Sequence, residues 1–176
     1  TIETTSLLSA LSPYNDLTLN STGSTYNLNG ATTVSGNLLI TAGTLGGNAQ
    51  TLTVTGNFTN NATFTHGNGT VDLGLGSQTL TGSTAFYQLT KAIASAATLT
   101  LEDTSTFTVT SVLTLTGQSG QRLFLASDDA SEQATLRLLE GGTQVLDYLD
   151  VTRIDSSSPG VQMIPANTEL VNCTGN

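Results

Sequence analysis

Aliphatic and threonine residues trade places at every second position through "TLTVT" (51–55), with Leu52 and Val54 on one side and Thr51, Thr53 and Thr55 on the other. Successive side chains on an extended strand point to opposite faces, so this alternation predicts a strand with one core face and one threonine face. It recurs in "ATLTL" with Leu99 and Leu101, and in "FTVTSVLTLTG" with Phe107, Val109, Leu113 and Leu115. The inward set expected from it is Leu38, Ile40, Leu52, Val54, Phe58, Leu99, Leu101, Phe107, Val109, Leu113 and Leu115, with Thr53, Thr55, Thr100, Thr108 and Thr114 outward. "YNLNG" is read with Tyr26 and Leu28 on opposite faces, and only "SLLSALS" and "YQLTKAIASAA" admit a helical period.

Between these runs stand Asn29-Gly30, "GGN" from Gly46 to Asn48, Asn60-Asn61 and "GNG" from Gly67 to Gly69. Gly and Asn tolerate positive φ, so each marks a corner. The phrases themselves repeat. "TVSGNLLIT" (33–41) realigns with "TVTGNFTNN" (53–61) and again with "TVTSVLTLT" (108–116), and "YNDLTLN" (14–20) matches "FYQLTKA" (86–92) as a larger unit.

A repeat of about twenty residues is the length of one solenoid coil. An antiparallel β-sandwich also has short strands and turns, but does not predict neighbouring segments that resemble one another. The expected fold is therefore all-β: a parallel β-helix, or β-solenoid, of right hand. In it inward positions stack into aliphatic columns and outward positions into Thr and Asn ladders. Residues 1–13 read as a leader, cap or plug strand, 14–120 as the Thr/Asn-rich repeats, and 121–176 as longer-stranded, more charged closing coils with a C-terminal cap. Arg137, Arg153, Asp147 and Asp150 in those last coils are placed for exposed ion pairs, each worth little.

"FYQLT", "YNDLTL", "TVSGNLLITAGTL" and "GSQTLTGST" resemble the repeats of large secreted bacterial and archaeal surface proteins, adhesin-like and built as parallel β-helices. In those proteins a phrase of the form "LTLTG…RLFLAS…ATLRL…LDYLDVTRIDSS" closes the array, and residues 113–158 are similar to it. The resemblance covers most of residues 14–176 and implies a β-helical architecture at the cell surface. It implies no shared catalytic motif, and the residues themselves lead to no expected cofactor.

Composition narrows the function. Charged residues are 10% of the chain, where about a quarter is usual. Hydroxyls and amides are left to solvate the surface. The net charge of −9, from 13 acids against 4 Lys plus Arg, removes the basic stripe that nucleic acid or an anionic membrane surface requires. The low pI reflects missing lysines more than an acidic patch. No apolar run approaches the roughly 20 residues of a membrane-spanning helix. Disorder is disfavoured because the apolar residues, 37% of the chain, fall in periodic order. The opening at Thr1 without Met is read as a mature secreted chain or an excised fragment.

The chemistry is sparse. Lyases on β-helices need a cationic base, and glycosidases need paired carboxylates. Here His66 stands in a "THGNG" turn, and Lys91 and Arg122 have no recognisable neighbours. The best carboxylate groupings are Asp128, Asp129 and Glu132 in "ASDDASE", a weak calcium candidate, and Asp147 with Asp150 in "LDYLD". Neither carries a recognisable loop spacing, so no catalytic residue is assigned. Sequons place candidate glycosylation at Asn20, Asn57, Asn61, Asn68 and Asn172, with Asn57 also a candidate for a corner ladder.

The expected function is a non-enzymatic structural or adhesive protein outside the cell, self-associating head to tail as a filament subunit or forming a stalk. Thr1, Ile2, Leu7, Leu8 and Cys173 are the candidate contact residues. A carbohydrate-binding or carbohydrate-cleaving module, engaging surface glycans, is the alternative. An ice-binding threonine face is a lesser one, and coil-to-coil irregularity such as "DLGLGSQ" weighs against it.

Overall fold

The structure, a computed structural model, describes residues 6–7, 12–157, 160–164, 166–167, 169–171 and 173. They form strands and turns with no helix. In chain order the strands are β1 (Ser6–Leu7), β2 (Leu17–Asn27), β3 (Thr32–Val34), β4 (Leu38–Gly46), β5 (Thr51–Val54), β6 (Phe58–Asn60), β7 (Thr63–Thr65), β8 (Thr70–Leu73) and β9 (Gln78–Thr81). There follow β10 (Thr84–Ala92), β11 (Ala97–Leu101), β12 (Thr106–Thr116), β13 (Leu123–Ser127), β14 (Ala134–Leu138), β15 (Thr143–Asp147), β16 (Leu149–Thr152), β17 (Ile154–Asp155) and β18 (Glu169–Val171).

Strands stacked about 22 residues apart pair in parallel, giving a β-solenoid of about six turns. One sheet runs β1-β2-β4-β6-β9-β11-β13-β16-β18 with β7 beside β4; the other runs β17-β14-β12-β10-β8-β5-β3 with β15 beside β12. Pairing crosses residues 120 and 121 without a break, since Leu99 stands opposite Leu125. The closing strands from β13 onward are of two to five residues, shorter and not longer than the eleven of β2 and β12.

Register turns the period-two pattern into columns. Leu17, Leu38, Phe58, Leu80 and Leu101 stack inward in one sheet. Val34, Val54, Leu73, Lys91, Leu115 and Leu146 stack inward in the other. Every residue of the expected inward set is buried, and the five threonines named with it are half-buried or exposed. β-Branched and aliphatic side chains suit such columns because each repeats the packing of the one below.

Some readings are corrected. Tyr26, near the end of β2, and Leu28, just past it, both pack on the core, since side chains two apart along an extended chain share a face. "YQLTKAIASAA" begins inside β10, so Tyr87 to Ala92 are extended, with Leu89 and Lys91 inward. The first two repeat phrases are true coil equivalents, with Val34 opposite Val54 and Leu38 opposite Phe58. The third is not, because Val109 pairs with Phe86 and Leu138 on another part of the coil. Likewise "YNDLTLN" enters β2 in the first sheet and "FYQLTKA" lies in β10 in the second. All faces of a coil share one alternation, so phrases from different faces look alike.

The corners are held by a second ladder. Asp16 Oδ1 accepts the Asn37 amide at 2.6 Å, Asn37 Oδ1 the Asn57 amide at 2.9 Å, and Asn57 Oδ1 the Thr79 amide at 2.9 Å. Ser12, Ser77 and Ser83 hydroxyls accept from Thr33, Thr98 and Thr106 one coil on. Glycine precedes two of these asparagines for room, since a Cβ on Gly56 would lie 2.5 Å from the Gly36 carbonyl oxygen. Asn57→Ala removes one acceptor from this exposed ladder and is expected to cost about 1 kcal/mol, a fall in Tm of about 3 °C by thermal unfolding. Asn61→Ala, at an exposed turn, is the control that leaves Tm unchanged.

Candidate functional site

The most unusual chemistry lies inside the second sheet's aliphatic column, at Lys91. The residue is 0% exposed. Its stem fills the rung between Leu73 and Leu115. Its Nζ turns into the corner that follows β8, donating to the carbonyl oxygens of Gly74 at 2.6 Å and Gly76 at 2.8 Å and to Gln78 Oε1 at 2.5 Å. Gln78, itself buried, uses its Nε2 to donate to the Val54 and Gly56 carbonyls. Lysine and glutamine thus form one buried polar chain that satisfies the carbonyls of two successive corners. Burial holds the Lys91 pKa down at about 8, the Asp72 carboxylate opposing that fall. Burial raises the Asp72 carboxyl, with Lys91 opposing. An amine occupied by three acceptors is built to brace a corner.

The carboxylates singled out in sequence are dispersed into structural tasks. Asp128 Oδ1 accepts the Asp103 amide across a corner. Asp129 Oδ1 accepts the Ser131 amide and hydroxyl and the Glu132 amide, and these bonds, led by the Ser131 hydroxyl, hold its carboxyl below the usual range. Glu132 instead lines an open polar groove of about 620 Å³ with Ala130, Ser131, Gln133, Arg153 and Asp155. Among the described residues no three His, Cys, Asp or Glu side chains converge on a metal position. Asp147 accepts from Asn167 Nδ2 at 2.8 Å, while Asp150 pairs with Arg122 at 2.9 Å. Sequence reasoning gave Arg122 no neighbour and Asp150 a different basic partner.

His66 stacks on Tyr87 with ring centroids 5.8 Å apart and accepts the Asn68 amide through Nδ1. Asn20, Asn57, Asn61 and Asn68 are exposed, Asn57 within the corner ladder and Asn68 at φ 63°. Cys173 is half-buried against the core, its Sγ 3.5 Å from the Val151 carbonyl oxygen. Leu7 belongs to β1, which pairs with Tyr26 and Asn27 of its own chain. Thr1, Ile2, Leu8 and Asn172 lie outside the described residues.

Two outward columns run side by side on the second sheet. One is Thr33, Thr53, Asp72, Thr90, Thr114 and Val145; the other is Thr51, Thr70, Gln88, Val112 and Thr143. Threonine occupies both places on the Thr51 and Thr53 rung, and the next rung replaces one with Asp72. Large apolar residues are exposed at Leu75, in the corner after β8, and at Phe124, Val145 and Ile164.

Compared with protein-family models, curated proteins and solved structures, the chain matches none. Among the described residues no helix is long and apolar enough to cross a membrane.

Proposed function

We propose that this chain is a non-enzymatic structural rod of the cell exterior, which stacks end to end and presents an adhesive face, in the manner of the secreted adhesin-like proteins its repeats resemble. The observation that carries this is the single parallel sense of both sheets. β17 and β18 are the last strands of the two sheets among the described residues, with Val161 bridging Leu138 and Ala166 bridging Asp147 beside them. An edge of that kind is completed by another parallel coil of the same outline. A second copy offers such a coil at its opposite end, and heterologous contacts of this type propagate as filaments instead of closing.

Sedimentation velocity over rising concentration, with negative-stain electron microscopy of the same samples, tests it. The expected result is concentration-dependent growth into rods one solenoid wide. A chain that stays monomeric at the highest concentration reached would remove the end-to-end reading. The carbohydrate-binding reading is favoured by one separate observation, the exposed Phe124 beside the carboxylates of Asp150 and Glu169 in a shallow groove.

A further inference from the structure

The outward face of the first sheet changes chemistry in its closing coils. Thr98, Phe124, Asp150 and Glu169 follow one another in register as one outward column. Parallel rungs stand about 4.8 Å apart, so the phenyl ring and the two carboxylates span about 10 Å of surface. Phe124 is 44% exposed. Beside it runs a groove of about 220 Å³ lined by Phe124, Asp150, Val151, Thr152 and Glu169. Arg122 stiffens it: Nη1 donates to Asp150 Oδ1 and to the carbonyl oxygens of Leu149 and Asn167, tying the Asp150 rung to the turn before β18.

An apolar plate beside carboxylate acceptors at fixed spacing suits a sugar ring, whose C–H face packs on the phenyl while its hydroxyls donate to the acids. The charge narrows the choice. Arg122 balances Asp150, whereas Glu169 has no ion pair among the described residues. The groove is therefore net negative, which favours a cationic sugar and repels a uronate. An ammonium placed over the Phe124 ring face gains cation–π attraction as well. We propose that this groove binds an amino-hexose unit of a surface glycan. The assignment rests on the adhesive half of the reading above and is independent of the end-to-end half.

Isothermal titration calorimetry with a β-1,4-linked glucosamine hexamer tests it, using its N-acetylated counterpart and polygalacturonate for comparison. The expected order is glucosamine hexamer first, the acetylated hexamer weaker, and no binding of polygalacturonate. Phe124→Ala and Glu169→Gln are each expected to weaken the first by about tenfold or more, with melting temperature unchanged. Glu140→Gln, an exposed acid on a distant turn, is expected to leave affinity intact. Absence of hexamer binding overturns the proposal. So does binding that survives Phe124→Ala, or that Glu140→Gln weakens equally, since the attraction is then to overall charge. If Phe124→Ala alters sedimentation and leaves sugar affinity unchanged, the groove is a contact between copies and the proposal falls. A chain that binds the hexamer and stays monomeric keeps the groove and loses the end-to-end reading; filaments without sugar binding do the reverse.

Discussion

Phe58→Ala is expected to be the most damaging single truncation in the rod, costing about 3 to 5 kcal/mol. Phe58 is fully buried, between Leu38 and Leu80 in its column. Its ring meets Phe64 at 5.7 Å and 87° and Phe86 at 5.7 Å and 63°, and those two rings stand 6.0 Å from each other. Edge-to-face contacts of this kind add about 0.5 to 1.5 kcal/mol each beyond burial. The backbone of Phe58 is bonded to the coils on both sides, so the site has little freedom to collapse into the space left. At about 2 to 4 °C per kcal/mol for a chain of this size, Tm falls by about 10 °C or more. Phe124→Ala, at an exposed position, is the matched control and changes stability by less than about 1 kcal/mol. Equal losses at the two positions would contradict the column assignment.

The second large effect is on pH dependence. Lys91 has its folded-state pKa lowered to about 8 from an ordinary 10.5, chiefly by burial. Below pH 8 both folded and unfolded chains carry the proton, so the penalty for burying the charge is constant there. Between about 8 and 10.5 the unfolded chain binds the proton more tightly than the folded one, and stability rises with pH. A shift of this size corresponds to up to about 3 kcal/mol across that window. Urea unfolding of the wild type at steps from pH 7 to pH 10.5 reads it, against Lys91→Met, which lacks the titrating group. The difference in unfolding free energy between the two chains is expected to grow through the window in favour of the wild type. A constant difference would show that the amine is not held in the dry column. Single replacement leaves Gln78 Oε1 without its donor, so Lys91→Met is also expected to start from lower stability than a variant in which Gln78 is replaced together with it.

How these two residues could be found in the sequence differs. Phe58 falls on the inward parity of a phrase that repeats one coil earlier, with Leu38 at its place, and needed no structure to be seen. Lys91 also falls on an inward parity, between Leu89 and Ile93, but a lysine is ordinarily solvated and the run resembled a helix. Its acceptors sit in "GLGSQ", a corner whose contact with Lys91 follows from coil register and not from proximity in sequence. Period two tells inside from outside along regular stretches of strand but loses the parity across the irregularities in β2, β4 and β10; it does not tell which face of the coil a strand occupies. Hence the inward set was legible while the alignment of residues 108–116 and 86–92 with earlier phrases was not. The candidate groove was illegible for the same reason, since Phe124, Asp150 and Glu169 become neighbours only through pairing between β13, β16 and β18.

The register between the early coils also governs how such a protein can change length. Twenty residues separate Val34 from Val54, and the same interval separates Leu38 from Phe58. A recombination event that removes or copies one such interval joins every column, and every rung of the corner ladder, to an equivalent of itself. A gain or loss of one residue within a regular stretch of strand sends its threonines inward and its leucines outward, so a one-residue change is accommodated at a loop or a bulge. Coils behave as interchangeable parts, and the length of the solenoid changes in whole-coil steps of about 4.8 Å.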